Sequence, residues 1–121
     1  MVILGIEHVQ LAMPPGGEAL ATAFYEGLLA LPEIPKPLHL AARGGCWFES
    51  DTVKIHLGVE EAFVPARKAH PALVVDDLAS VVAQLEAGGH KATSPQSLGE
   101  TLHCYVDDPF GNRLELIEAR F

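Results

Sequence analysis

The chain repeats itself. Glu7-His8-Val9-Gln10 and Ala69-His70-Pro71-Ala72 each set a histidine early in an aliphatic stretch, 62 positions apart. Lys54-Ile55-His56-Leu57 and Arg113-Leu114-Glu115-Leu116 each read base, aliphatic, ligand-type residue, aliphatic, and His56 and Glu115 lie 59 positions apart. A unit that recurs at this spacing, and is too small to bury its own apolar face, is expected to pack against its copy.

The elements recur with the residues. In the first half, Ile3–Ala12 reads as a strand stopped by Pro14-Pro15-Gly16-Gly17. A helix is expected from about Glu18 to Leu29, with Leu20, Phe24 and Leu28 as its apolar stripe. Pro32, Pro35 and Pro37 keep the next stretch out of helix. Strands are expected at about Leu38–Ala42, Cys46–Glu49 and Val53–Val59, and Glu60–Ala69 reads as a linker. The second half opens with a strand at His70–Val75. Asp76-Asp77 caps a helix striped by Leu78, Val81, Val82 and Leu85, and Gly88-Gly89 ends it. Strands at about His90–Thr93, Thr101–Asp107 and Arg113–Glu118 follow, with Asp108-Pro109-Phe110-Gly111-Asn112 as the last turn. Each half therefore spells βαβββ.

Strand alternation sorts the side chains by face. Val53, Ile55, Leu57 and Val59 go to the helix side, and so do Leu114 and Leu116, Leu73 and Val75, and Val9 and Leu11. Four strands then each send one metal-capable group to the opposite face: His8, His56, His70 and Glu115. Imidazole with carboxylate suits borderline divalent ions such as Zn, Ni, Mn, Fe or Co. Gln10 shares the face of His8, and Tyr105 shares the face of His103. His103 is expected at the rim or exposed, and Cys46 and Phe48, rather than Trp47, are expected to face the site.

These residues resemble the vicinal oxygen chelate superfamily, which includes glyoxalase I, fosfomycin-resistance thiol transferases, extradiol dioxygenases and bleomycin-resistance proteins. The resemblance spans the chain. It is carried by Ile6-Glu7-His8-Val9-Gln10-Leu11, by Ala23-Phe24-Tyr25-Glu26-Gly27-Leu28-Leu29-Ala30-Leu31 and by His70-Pro71-Ala72-Leu73-Val74-Val75-Asp76-Asp77-Leu78. Its most specific carrier is Tyr105-Val106-Asp107-Asp108-Pro109-Phe110-Gly111-Asn112-Arg113-Leu114-Glu115-Leu116-Ile117-Glu118. The resemblance implies an α+β fold in which two βαβββ modules form a cup-shaped, eight-stranded mixed sheet with helices outside. The modules would cover about residues 1–61 and 69–121, joined by a linker at about 62–68. It also implies a divalent metal ion held by His8, His56, His70 and Glu115, with Glu115 and Tyr105 catalytic and Gln10 and Tyr105 binding substrate. In glyoxalase I the position of His56 is typically a carboxylate, and in the fosfomycin enzymes it is not a ligand, which would leave His8, His70 and Glu115. The site would lie between the modules of one chain or be shared across a homodimer.

Composition sets the outer limits. Hydrophobic residues at 49% and charged residues at 20% describe an ordinary globular chain. Sixteen acids against eight bases give a net charge of −8, which argues against nucleic acid or anionic membrane as partner and leaves a small molecule. No apolar run approaches the ~18 residues of a membrane span. Two cysteines in no metal or redox spacing point to a reducing cytoplasm. The expected function is a metal-dependent enzyme acting on a small substrate with adjacent oxygens: glyoxalase-like lyase or isomerase, thiol transferase, or dioxygenase. The alternative is a metal-free, drug-sequestering protein of the bleomycin-resistance type. A third reading keeps the histidines as merely buried and satisfied.

Overall fold

Proline and glycine punctuation divides the chain into short strands, and the computed structural model, which describes residues 1–119, pairs them into two sheets. The first half gives β1 (Val9–Met13), α1 (Glu18–Tyr25), β2 (Glu33–Ile34), α2 (Leu38–Ala41), β3 (Cys46–Glu49) and β4 (Lys54–Val59). The second gives β5 (Ala72–Val75), α3 (Leu78–Ala87), β6 (Gln96–Leu98), β7 (Thr101–Asp107) and β8 (Arg113–Glu118). Sheet order is β1-β4-β3-β2 in one half and β5-β8-β7-β6 in the other. In each, the first and last strands run parallel and the remaining pairs antiparallel. The eight expected strands are thus two sheets of four, and the fold is the two-module α+β arrangement.

Several boundaries differ from the sequence reading. Leu38–Ala41 is a helical turn led by Pro37, not a strand. The edge strand is instead Glu33–Ile34, between Pro32 and Pro35, where missing amide donors cost nothing at a sheet edge. His90–Thr93 forms no strand; β6 lies further on, at Gln96–Leu98. Helix α1 stops at Tyr25 rather than near Leu29. Its buried face is Ala21, Phe24 and Tyr25, while Leu20 is 59% exposed. The stripe turns this way because Tyr25 points inward to a partner in the other half.

That partner is Asp108. Tyr25 Oη donates to Asp108 Oδ2 at 2.7 Å. Asp108 also accepts from the backbone amides of Phe110 and Asn112, both at 2.9 Å, and from Asn112 Nδ2 at 3.0 Å. Asn112 Nδ2 reaches back to the Ala12 carbonyl at 2.8 Å, and its Oδ1 accepts from the Ala66 amide at 3.0 Å. A buried carboxylate surrounded by donors is stable where a bare one would not be. This polar knot joins α1, β1, the linker and the β7–β8 turn above one continuous apolar cluster. That cluster runs from Leu11, Met13, Phe24 and Phe48 through Ile55 and Leu57 to Leu85, Cys104, Leu114 and Leu116. Gly45 is required where it stands: its φ is +86°, and an added Cβ would sit 2.2 Å from the Leu57 carbonyl oxygen.

Candidate metal centre

Parallel pairing brings the first strand of each half beside its last. In the first half Gln10 opposes His56, and Trp47 of β3 opposes His56 from the other side. The His56 ring is sandwiched: Trp47 lies 4.1 Å away at 4° and His8 lies 4.2 Å away at 18°. His56 is 4% exposed, and its Nε2 donates to Glu49 Oε2 at 2.6 Å. With Nε2–H so engaged, the lone pair of the neutral ring is on Nδ1. His8 is exposed, with Nδ1 3.0 Å from Glu7 Oε1, and Glu7 also pairs with Lys54. Hydrogen bonds from Lys54 and then His8 hold the Glu7 carboxyl below its ordinary value. Cys46 and Phe48 are core, and Trp47 faces the site, the reverse of the expected register; β3 pairs so that its large apolar phenyl goes to the helix side.

The second half places Tyr105 of β7 directly opposite Glu115 of β8. His70 Nε2 stands 3.0 Å from Glu115 Oε1, and His103 Nδ1 stands 2.9 Å from Glu115 Oε2. The Tyr105 ring is edge-on to both imidazoles at 5.5 Å, with the Arg113 guanidinium 5.1 Å above its centroid. Burial pushes the Glu115 carboxyl up, but the hydrogen bonds from His70 and His103 outweigh it and hold the group below its ordinary value. His70 Nδ1 donates to the Lys68 carbonyl at 2.8 Å. A carbonyl only accepts, so a ring proton is on Nδ1, and Nε2 either donates to Oε1 from a protonated ring or turns its lone pair toward it from a neutral one. Two lone-pair atoms held 3.0 Å apart need a cation between them, a proton or a metal ion.

The four expected ligands thus fall into two groups, His8 with His56 and His70 with Glu115. His8, Gln10, Lys54 and His70 all line one open cleft of about 1010 Å³ that runs between β1 and β5. Within one chain, among the described residues, no three His, Cys, Asp or Glu side chains are gathered to hold a metal ion. The donor set at Glu115 suits a divalent ion but supplies only part of a coordination sphere. Sequence reasoning missed His103 and Glu49 as partners; the alternation that places His103 on the face of Tyr105 and Glu115 was the available signal. No described helix is long and apolar enough to cross a membrane.

Comparison with known proteins gives the class. No family profile and no curated protein matches by sequence. Among solved structures, a glyoxalase family protein from Bacillus anthracis is 42% identical, with a TM-score of 0.92 over 99% of this chain and 98% of that one. A variant of the fosfomycin resistance protein FosX from Listeria monocytogenes, complexed with Mn(II) and 1S,2S-dihydroxypropylphosphonic acid, is 17% identical with a TM-score of 0.78, over 99% and 95% of the two chains. Lactoylglutathione lyase from Agrobacterium tumefaciens is 18% identical with a TM-score of 0.74, over 98% and 96%. The chain belongs to the glyoxalase family of the vicinal oxygen chelate superfamily.

Proposed function

We propose that this protein is a divalent-metal-dependent enzyme acting on a small substrate with two adjacent oxygens, working as a homodimer. The observation that carries the reading is His70 Nε2 aimed at Glu115 Oε1, with its tautomer set by the Lys68 carbonyl. His70 and Glu115 of one copy, with His8 of the other, would hold the ion, and His56 would join through Nδ1. The ion, when bound, supplies Lewis acidity toward adjacent substrate oxygens. Glu115 is the one ligand of this set able to take up a proton at a carboxylate oxygen. Tyr105 and Gln10 orient the substrate, and Arg113 keeps the Tyr105 ring in place. Zn, Ni, Mn, Fe and Co all suit the donors, and Mn(II) in the FosX structure favours this class of ion.

Sharing between copies is supported by surface chemistry. Strands β1 and β5 are both sheet edges with unpaired backbone groups. Met1, Val2, Ile3, Leu4 and Ile6 before β1, and Val74 on β5, are all at least 69% exposed. An apolar patch of this kind on a sheet edge fits a second copy. Two buried, unpaired thiols suit a reducing cytoplasm.

The test is sedimentation and thermal melting with and without MnCl2. A dimer whose melting temperature rises with metal is expected. A monomer indifferent to every divalent ion tried would sink the reading. The rival, a metal-free binder, draws on the width of the apolar cleft and the −8 charge, which suit a cationic drug. Stabilisation by such a drug and not by metal would favour it.

A further inference from the structure

Two imidazoles meet the Glu115 carboxylate, and their surroundings give them different work. A neutral His70 has spent its ring proton on the Lys68 carbonyl, so its Nε2 brings a lone pair to Oε1 and is free to meet an ion there. His103 approaches the other oxygen through Nδ1 at 2.9 Å, and among the described residues no carbonyl shares that nitrogen. A neutral His103 therefore donates Nδ1–H to Oε2 with no further cation required. The His103 ring is itself held: its side chain is 14% exposed, and the Tyr105 ring stands edge-on to it at 68°. The Tyr105 ring is edge-on to both imidazoles, and the two meet different oxygens of the carboxylate.

From this we infer that His103 is a positioning residue, occupying Oε2 so that Glu115 presents Oε1 alone toward His70. The inference rests on the metal reading above. A glutamate has several freely turning bonds and two equivalent oxygens, and left unheld it would offer either or both. A carboxylate pinned at one oxygen binds an ion through the other, which leaves more of the ion's positions open to a substrate with two donor oxygens. Partners of this kind, bonded to a ligand rather than to the ion, typically change metal affinity by about 10–100-fold when removed.

The experiment is a calorimetric titration of the dimer with MnCl2, paired with the visible absorption spectrum of the Co(II)-loaded protein. His103→Ala is expected to weaken Mn(II) by about 10–100-fold and to alter the Co(II) spectrum as Glu115 turns to two-oxygen ligation. His103→Asn places an amide N–H where Nδ1–H stood and is expected to restore most of the affinity and the original spectrum. His103→Phe keeps the ring bulk without the donor, and it replaces the alanine variant if that one does not fold. Wild-type affinity and spectrum in His103→Ala or His103→Phe would overturn this inference alone. Equal loss in His103→Asn would overturn it too, since the ring nitrogen would then be needed as a ligand. Failure of the wild type to bind Mn(II) or Co(II) would overturn both this inference and the metal reading beneath it.

Discussion

Tyr25 of the first module donates its phenolic proton to Asp108 of the second at 2.7 Å, in a site closed to water. Burial first, and then the Asp108 charge, push the Tyr25 phenol well above its ordinary range, so the proton stays. Tyr25→Phe removes one of four donors to a buried carboxylate and is expected to cost about 1–3 kcal/mol. Urea unfolding should show a lower midpoint with an unchanged slope. A midpoint equal to wild type would mean the three remaining donors suffice.

His70→Ala removes the nitrogen that faces Glu115. Mn(II) affinity should fall below detection in calorimetry while the far-ultraviolet spectrum stays native. Lys68 contributes only its backbone carbonyl to the same ring, so Lys68→Ala should leave affinity unchanged. Parallel losses in both variants would point to a distorted loop rather than a lost ligand.

Glu115 gives a pH signature in metal-free protein. Its folded value lies below its unfolded one. It therefore contributes stability above the ordinary carboxylate range, and that contribution is lost as pH falls through the lower folded value. Glu115→Gln should flatten the stability curve on the acid side. Superimposable acid limbs for the two proteins would remove Glu115 as the cause.

Cys46 should be inert. Burial, and then the nearby Glu33 charge, push its thiol up to about 11. At pH 8 the native protein should alkylate at this residue far more slowly than the urea-unfolded chain. Above the ordinary thiol range the unfolded chain ionises while the folded one does not, so stability should decline with rising pH until about 11. A Cys46 labelled as fast when folded as when unfolded would contradict its burial.

Trp47 is the chain's single tryptophan, and it lies flat on His56. Its emission should respond to His56→Leu and stay constant in His103→Asn. Unchanged emission in the His56 variant would mean the rings are not stacked in solution.

What the sequence made legible was whatever depends on alternation along a strand. Ile55 and Leu57 are buried, and so are Leu114 and Leu116, with His56 and Glu115 turned to the other face, because period-two patterning survives in short strands. What it hid depends on pairing between strands. The β3 register that turns Trp47 rather than Phe48 toward His56 is set by its partners, not by Cys46–Glu49 itself. The inward turn of Tyr25 is likewise explained only by Asp108, which lies 83 positions away. His103 was on the right face, but nothing local says that a second imidazole would meet the same carboxylate as His70.

The register also sets His56 against Trp47 and Glu115 against Tyr105 at matching addresses in the two halves. An ancestral unit copied in tandem would inherit such an address twice, with the neighbouring aromatic already in place. Selection could then rewrite the occupant in one copy, nitrogen for oxygen, without disturbing the scaffold under either. The neighbours would have to change with the occupant, since a carboxylate at 56 would meet Glu49, which now accepts from His56 at 2.6 Å.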